Sequence, residues 1–462
     1  MFRPITAAAE RLTNAAQATF QIDAALTALL TQQRPVYLEI TEDVFRASCR
    51  KPVGTLQSGA DDTITVNSVD QAVDATLELM RSKPKSIFWA GIELQRFGLQ
   101  DQFLTMLENL NNNQMQAGEQ TKFVTSALSK SVISEDNPLF EGCVTLSNKE
   151  IKTLVGDDGL LIGIGAWTTG KDTGSQDIRG SNTILAAHDG VFVGANYFAS
   201  VPLNQYIDKL SQAFAATSNS NGNMGLKTLS VPKQLKSTPK PTSELGYDSF
   251  FHSMSHWLTK DDIMVVDAGF PLIGAQGVHI PAQDGFVAQA AWLAIGYSVG
   301  AGTGVKCAKP DKRAIVVVGD GAFQETCQAV SDQHAYGQNT VVFVLTNGIY
   351  GIEQYLVNPN PFREPPVDYK DELFDQVFPY NELPSWDLVN LAKAFGGEGR
   401  KVTTVAELEK VMAEIRDNTD SNFLVEVTIP KTNVPASIAK EANDKVGEDE
   451  IDNPNWPPAG VY

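Results

Sequence analysis

The sequence predicts an α/β protein with two doubly wound parallel-sheet domains and an N-terminal helix-strand remnant of a third. Apolar runs such as 314–318 and 341–345 alternate with helical patterns, as parallel strands do when helices cover both faces of a sheet. A length of 462 residues exceeds what one hydrophobic core usually supports. The stretch 216–245, rich in Ser, Asn, Lys and Pro, has the composition of a linker between two such domains.

The N-terminal part, residues 1–50, contains one helix and one strand. Apolar side chains recur at helical spacing at Ile22, Leu26, Leu29 and Leu30. The run 35–40 follows as a strand and leads into an acidic turn. Because such a piece buries too little surface to fold alone, we expect that it docks on the rest of the chain or is what remains of a larger unit.

The two larger domains are predicted at 66–215, the central domain, and at 246–432, with the linker 216–245 between them. Buried strands of the central domain are expected at 86–90, 160–164 and 191–193. Those of the third domain are expected at 263–266, 314–318, 341–345 and 423–427. The remaining segment 433–462 is acidic and contains several prolines, and we expect a flexible tail or a surface lid.

The charge balance excludes several classes of partner. The chain has 36 Lys and Arg against 55 Asp and Glu, a net charge of -19, which repels nucleic acid and anionic membrane surfaces. No apolar run reaches the ~20 residues of a membrane helix, and the N terminus lacks the pattern of a secretory signal. We therefore expect a cytoplasmic protein with neither a nucleic-acid nor a membrane partner. The four cysteines are far apart and form no metal-binding pair.

Two polar side chains follow neighbouring strands of the third domain. The strand 314–318 runs directly into Gly319-Asp320-Gly321-Ala322, and the next strand ends at Asn347. Open α/β sheets bind anions at the carboxyl ends of their strands, beside helix amino termini. One strand-helix-strand unit can therefore bring both side chains to the same crevice.

The chemistry of these side chains suits a magnesium ion that carries a diphosphate. Carboxylate, amide and loop carbonyl oxygens are hard ligands, and Mg²⁺ typically combines a few of them with phosphate oxygens and water. A Gly-Asp-Gly tripeptide alone also occurs in ordinary surface turns. The strands on both sides, the spacing and the second side chain, Asn347, favour the functional interpretation of Asp320.

This combination resembles the signature of thiamine-diphosphate enzymes, and the wider match resembles their 2-oxo-acid decarboxylases, the pyruvate and indolepyruvate group. The resemblance covers nearly the whole chain. It implies that Asp320, Asn347 and the backbone carbonyl of Ile349 hold Mg²⁺. It also implies that Ile295, otherwise a simple core residue, wedges thiamine diphosphate into the bent form in which its amino group activates the thiazolium carbon. The implied cofactor-binding residues are Gly269, Leu293, Ile295, Gly319, Asp320, Gly321, Ala322, Asn347, Ile349 and Tyr350.

Glu353 matches the glutamate that these decarboxylases carry six residues after the magnesium asparagine. The resemblance implies that Glu353 is the catalytic residue that protonates the reacting carbon or handles the substrate carboxylate. A carboxyl group in a partly apolar cleft can hold its proton near neutrality. The alternative is a solvated glutamate at a helix start, where the helix dipole favours negative charge.

The sequence departs from the family pattern at several positions. The chain begins near the final helix and strand of the family's pyrimidine-binding domain, so the activating glutamate and the His-His pair of that domain have no counterpart in it. Phe270 and Pro271 stand where relatives usually offer polar groups to the diphosphate. Leu293 stands where they usually have glycine, and its bulk bears on the affinity for the cofactor.

The leading interpretation is thiamine-diphosphate- and Mg²⁺-dependent, non-oxidative decarboxylation of a 2-oxo acid of the pyruvate or indolepyruvate type to an aldehyde and CO₂. It leaves open whether this chain, as a truncated form, is active by itself. An acetolactate-synthase-type carboligase with a flavin, and a non-catalytic cofactor-binding or regulatory relative, are the alternatives. Because active sites of this family form between subunits, the resemblance implies a homodimer or homotetramer, or a separate chain that supplies the missing domain.

Overall fold

The computed structural model describes residues 2–52, 56, 66–83, 85–112, 120–174, 176–188, 190–219, 227–233, 236, 238–363 and 376–444. In chain order the strands are β1 Ala8–Leu12, β2 Val36–Ile40, β3 Lys85–Ala90, β4 Phe123–Thr125, β5 Phe140–Cys143, β6 Gly159–Ile164, β7 Thr183–Ala187, β8 Gly190–Val193, β9 Asn196–Ala199, β10 Lys227–Thr228, β11 Asp262–Val266, β12 Phe286–Ala288, β13 Arg313–Gly319, β14 Val341–Thr346, β15 Glu398–Val402 and β16 Phe423–Thr428.

The helices connect and cover these strands. In chain order they are α1 Ala15–Gln32, α2 Glu42–Phe45, α3 Val66–Ser82, α4 Ile92–Phe97, α5 Gln100–Asn112, α6 Asn148–Val155, α7 Gly170–Thr173, α8 Leu203–Asn219, α9 Tyr247–Trp257, α10 Phe270–Ala275, α11 Tyr297–Ala308, α12 Asp320–Thr326, α13 Ala329–Ala335, α14 Gly351–Val357, α15 Leu388–Ala394, α16 Val405–Asp417 and α17 Ala436–Asp444. Short 3₁₀ turns lie at Arg3–Ile5, Asn360–Phe362 and Pro379–Asn381. Within the part of the chain that the structure describes, no helix is both long and apolar enough to cross a bilayer.

The chain divides into two compact units, each assembled from separate segments. Unit 1 comprises Met1–Thr121, Asp157–Trp167 and Arg179–Thr228. Unit 2 comprises Lys122–Gly156, Thr168–Ile178 and Leu229–Tyr462.

Unit 1 begins with a small β-α-β element. Strands β1 and β2 are parallel, with Ala8 opposite Val36, and α1 connects them. The side chain of Asn14 caps α1 by accepting a hydrogen bond from the N–H of Ala16, which satisfies one of the free donors at the helix start. The helix and strand predicted within residues 1–50 are therefore confirmed.

The larger sheet of unit 1 is only partly parallel. β3, β6 and β7 pair in parallel, β10 pairs in parallel with β3, and β8 and β9 continue the sheet in antiparallel order. The expectation of a parallel strand at 191–193 was therefore wrong. Since β7 ends at Ala187 and β8 starts at Gly190, the connection is far too short for a parallel crossover, and only a hairpin is possible.

Unit 2 is built on a six-stranded sheet in the order β12-β11-β13-β14-β16-β15, in which every pair is parallel. The apolar run of β13 alternates between the two faces: Ile315 and Val317 join one buried cluster, and Val316 and Val318 join the other. Helices therefore cover both faces, as the continuous apolar pattern predicted. The doubly wound sheet is confirmed.

Part of the predicted linker and tail lies within the described residues. In the linker, residues 220–226, 234, 235 and 237 lie outside the described residues. Within the predicted tail, helix α17 packs Ile438 and Ala442 into the core of unit 2, and the side chain of Asp248 accepts a hydrogen bond from the N–H of Ala436 at its start. The expectation of a flexible tail was therefore wrong for these residues, because its few apolar side chains lie on one buried face. Residues 445–462 lie outside the described residues.

Candidate active site

Three adjacent strands of unit 2 end in buried polar side chains. β11 is followed by Asp267, β13 by Asp320 and β14 by Asn347, which are 0%, 6% and 7% exposed. Because parallel strands present their carboxyl ends at one edge of the sheet, these groups gather at the place where open α/β sheets bind ligands. The sequence analysis had identified Asp320 and Asn347 as candidate site residues, but not Asp267.

The carboxylate of Asp320 joins the two loops. One oxygen accepts a hydrogen bond from the N–H of Gly321 at 3.0 Å, and the other accepts one from the N–H of Gly348 at 2.7 Å. Burial raises the pKa of this carboxyl to about 6, although these backbone donors act against the rise. The loops after β13 and β14 therefore converge, as their positions along the sequence predicted.

The loop after β14 is held in place by backbone hydrogen bonds. Asn347 Oδ1 accepts from the N–H of Ile349 at 3.2 Å, and the N–H of Tyr350 donates to the carbonyl of Asn381 at 2.9 Å. The carbonyl of Gly348 accepts from the N–H of Leu383 at 2.9 Å. Asn347 and Ile349 therefore lie on a fixed turn beside Asp320.

Small residues let an aromatic ring close over the start of α12. A Cβ added to Gly321 would lie 2.4 Å from Cε1 of Tyr350, a distance that no side chain tolerates. Gly319 is extended and caps α12, and Ala322 is buried in its first turn. The structure therefore brings Gly319, Gly321, Ala322 and Tyr350 together around Asp320.

A second loop, between β12 and α11, carries the residues expected to face the organic part of a cofactor. Leu293 and Ile295 are 43% and 41% exposed, and Trp292 is 86% exposed. Leu293 has a φ of 58°, in the left-handed region that favours glycine. The side chain of Gln289 holds this turn by accepting hydrogen bonds from the N–H groups of Trp292 and Ala294.

The turn after β11 is apolar. Gly269 has a φ of 87° and leads into α10 through Phe270 and Pro271, both of them buried. A Cβ on Gly351 would lie 2.5 Å from Cε2 of Phe270, so this ring fills the space beneath the start of α14. Gly269 is thus at the same sheet edge, but the residues after it offer no polar side chain.

Glu353 lies in the first turn of α14 and is exposed. The hydrogen bonds described between the loops around α14 do not involve the side chain of Glu353. The neighbouring Gln354 does take part in them, and the sequence analysis missed it: its side-chain oxygen accepts from the N–H of Phe378 and from the amide of Asn381. The sequence pattern gives no signal for Gln354, because its partners lie in a segment distant along the chain.

The donor set fits a magnesium ion bound to a diphosphate. Asp320 offers a buried carboxylate whose ionisation is opposed by burial, so a divalent cation would offset that cost. The amide oxygen of Asn347 and the carbonyl of Ile349 lie on the adjoining turn and are hard donors of the kind Mg²⁺ selects. Within the described residues, no group of three His, Cys, Asp or Glu side chains is placed to hold a metal by itself.

Comparison with known proteins agrees with this site. Residues 267–427 match the family model described as thiamine pyrophosphate enzyme, C-terminal TPP binding domain. The chain is 25% identical to a pyruvate decarboxylase of Candida glabrata and to pyruvate decarboxylase isozyme 2 of Saccharomyces cerevisiae, in each case over 93% of this chain and 74% of the relative. It is 26% identical to a pyruvate decarboxylase of Hanseniaspora uvarum over 94% of this chain and 74% of the relative.

The fold is also that of a solved structure. The crystal structure of benzoylformate decarboxylase from Polynucleobacter necessarius superimposes with a TM-score of 0.64, covering 94% of this chain and 78% of that one at 17% identity. The match supports the α/β architecture. Taken together, the domain match and the sequence relatives support a thiamine-diphosphate-dependent 2-oxo-acid decarboxylase family for this chain.

Proposed function

We propose that this protein binds thiamine diphosphate and Mg²⁺ and decarboxylates a 2-oxo acid, without oxidation, to an aldehyde and CO₂. The observation that carries the proposal is the convergence of the loops after β13 and β14, joined by the 2.7 Å hydrogen bond between Asp320 and Gly348. The cofactor, when bound, supplies a carbon nucleophile and an electron sink for the departing carboxylate. The chain's own residues position this group and move a proton.

The roles proposed for the residues follow from their places. Asp320, Asn347 and the carbonyl of Ile349 hold the cation. Ile295, on the exposed loop, supports the organic part of the cofactor. Glu353 stands in the first turn of α14, close in sequence to the turn 347–349, here called the metal turn, and is the proposed proton donor to the product carbon.

Pyruvate is the proposed first substrate, with indolepyruvate second, because several relatives over most of the chain are named pyruvate decarboxylases. The test is aldehyde production from each acid with thiamine diphosphate and Mg²⁺, reported by coupled reduction of the aldehyde. We expect Glu353→Gln to lower kcat by about 100-fold, as loss of a general acid typically does. The matched control Glu409→Gln, on the exposed face of α16, should leave kcat unchanged.

A second candidate function is cofactor binding without turnover. It is favoured by Phe270 and Pro271, which place buried apolar side chains where a diphosphate would gain from hydrogen-bond donors. Titration calorimetry with thiamine diphosphate and Mg²⁺ separates the two functions. Binding without aldehyde from either acid supports the second, turnover removes it, and absence of binding overturns both. A flavin spectrum or acetolactate as product would instead indicate the carboligase.

We further propose that the protein acts as a homodimer or homotetramer in the cytoplasm. Trp292, Leu293, Ile295 and Tyr297 expose large apolar surfaces on one loop, and exposed patches of this kind mark interaction sites. Light scattering after size exclusion tests the assembly. A separate chain that contributes to the site would be found by co-purification from the native source.

A further inference from the structure

Asp267 is a buried acid that the proposed roles leave unused. It follows β11 and is 0% exposed, and its two oxygens accept four hydrogen bonds. Oδ1 accepts from the N–H groups of Ala268 at 3.0 Å and Gly296 at 3.1 Å. Oδ2 accepts from the N–H of Ser298 at 2.9 Å and from its hydroxyl at 2.6 Å. Three of these donors belong to Gly296 and Ser298, at the end of the segment 292–298, which is called the cofactor loop from here on.

Asp267 therefore caps α11 from a distant strand. Gly296 is the N-cap of α11, and Ser298 lies in its first turn, where N–H groups lack partners within the helix. A carboxylate at that end also interacts favourably with the helix dipole. Burial raises the pKa of Asp267, and the four donors oppose that rise.

A further hydrogen bond holds Gly296 from the side opposite Asp267. The carbonyl of Gly296 accepts a hydrogen bond from the hydroxyl of Thr326 at 2.7 Å, in the last turn of α12. Its φ of 81° requires glycine, and a Cβ there would lie 3.0 Å from Glu325 and 3.1 Å from Thr326. The peptide after Ile295 is thus fixed between β11 and the same short helix that begins with Asp320.

We propose that Asp267 is a positioning residue that fixes the loop 292–298 relative to Asp320, so that the loop and the metal turn meet the cofactor as one preorganised surface. The inference rests on the proposed function, because it assigns Asp267 to the binding of the same cofactor. It acts through Gly296 and Ser298 and need not touch the cofactor itself. Preorganisation of this kind lowers the ordering cost of binding.

The matched control for Asp267 is a buried acid at the opposite end of β11. Asp262 begins β11 at its amino end and is also buried, accepting hydrogen bonds from Thr259 and a bidentate pair from Arg416. Replacing either acid by Asn removes a buried carboxylate from a satisfied network, so both variants should lose stability. Only the Asp267 variant should loosen the cofactor loop.

The test compares Asp267→Asn, Asp262→Asn and Thr326→Val in the full chain. In the cofactor-free protein, we expect hydrogen exchange of the amides 294–298 to accelerate about tenfold or more in Asp267→Asn and Thr326→Val, and to stay near wild type in Asp262→Asn. At saturating Mg²⁺, the affinity for thiamine diphosphate should fall about tenfold or more in Asp267→Asn and Thr326→Val, by analogy with the loss of groups that orient metal ligands. In Asp262→Asn it should stay within about twofold of the wild-type affinity.

Each result has a distinct meaning. Unchanged exchange of the loop in both Asp267→Asn and Thr326→Val overturns the inference, whatever the cofactor does. Faster exchange in a protein whose wild type binds no thiamine diphosphate supports the positioning of the loop and overturns the proposed function instead. Equal loss of affinity in Asp262→Asn overturns the inference, because it indicates a general effect of destabilisation. If Asp267→Asn fails to fold, Thr326→Val decides, since it removes one hydroxyl from the other side of Gly296.

Discussion

Asp320 combines two properties that conflict in a protein without a bound cation. It is a carboxylate, and it is almost fully buried at the end of β13 with only backbone N–H groups as its described hydrogen-bond partners. A buried acid of this kind weakens the fold when it ionises, and its persistence at a sheet edge is typical of a functional site. The conflict has a measurable consequence.

The first prediction concerns pH and the cofactor-free protein. The pKa of Asp320 rises on folding from 3.8 to about 6, which corresponds to about 3 kcal/mol between the two protonation states. The folded state therefore holds its proton more tightly, and this group's contribution to stability falls as pH rises from about 4 through 6. Between pH 5 and pH 7.5 the loss is about 1 kcal/mol.

Urea unfolding of the wild type and of Asp320→Asn at pH 5 and pH 7.5 tests this prediction. Since other groups titrate equally in both proteins, the difference between the two pH profiles isolates Asp320. The wild type should lose about 1 kcal/mol more than the variant over this interval. Parallel pH profiles of the free energy of unfolding would show that folding does not raise the pKa of Asp320.

The positions of Asp320 and Asn347 at one sheet edge could be predicted from the sequence. The conformation of the cofactor loop could be predicted only in part. Asp320 and Asn347 follow strongly apolar strands, so their places at one sheet edge follow from strand pattern alone. The left-handed backbone of Leu293 was not predicted, although relatives usually have glycine at this position. It depends on the side chain of Gln289 and on the anchoring of Gly296. The roles of Asp267 and Gln354 likewise arise from contacts between segments distant in sequence.

At the scale of elements, a buried ion pair ties the turn after β4 to the segment that precedes β12. Lys130 and Glu135 have side chains only 1% and 3% exposed and pair at 2.6 Å. Lys130 also donates to the carbonyl of Gln276, and Glu135 accepts from the N–H of Ile280. Ser134 donates to the carbonyl of Pro281. These contacts of Lys130, Ser134 and Glu135, called the clamp below, fix the chain just before the cofactor loop.

The second prediction is that this pair tolerates joint replacement better than single replacement. Lys130→Met leaves Glu135 as a buried charge without its cation and should cost about 3–5 kcal/mol of the free energy of unfolding. The double variant Lys130→Met, Glu135→Leu should cost less than either single change, because no unpaired charge remains. Urea unfolding of all four proteins gives the double-mutant cycle.

The pair formed by Arg400 and Glu414 is the control, since its side chains are 31% and 41% exposed. Arg400→Met should cost below about 1 kcal/mol, as surface pairs do. A double variant of the buried pair whose loss equals the sum of the two single losses would refute the clamp as a coupled unit. An Arg400→Met loss as large as that of Lys130→Met would refute burial as the reason.

In the six-stranded sheet of unit 2, the central strands were predictable from the sequence and the edge strands were not. β11, β13, β14 and β16 are continuous apolar runs because helices cover both of their faces. β15 is largely polar and half exposed, since it lies at the sheet edge. Edge strands such as this one are fixed by pairing with a neighbour rather than by their own pattern.

At the scale of the molecule, the core of unit 2 extends beyond the domain boundaries proposed from the sequence, 246–432. One of its apolar clusters includes Ala127 from the turn after β4, Leu245 just before α9, and Ile438 from α17. Sequence patterns mark where elements begin and end, but they do not show which distant segments share a core. Whether residues 246–432 fold as an independent domain can therefore be tested directly.

The third prediction is that the fragment 246–432 does not fold as a stable domain by itself. It lacks both residues of the buried ion pair, Lys130 and Glu135, as well as core residues such as Ile438, and loss of buried apolar side chains costs about 2–5 kcal/mol each. Near-ultraviolet circular dichroism and urea unfolding should show weak tertiary signal and little cooperativity. The longer fragment 238–444 restores α17 and should unfold more cooperatively, but at a lower urea midpoint than the full chain because 122–156 is still missing. A fragment 246–432 with the midpoint of the full chain would instead establish it as an autonomous domain and reduce the clamp and α17 to peripheral contacts.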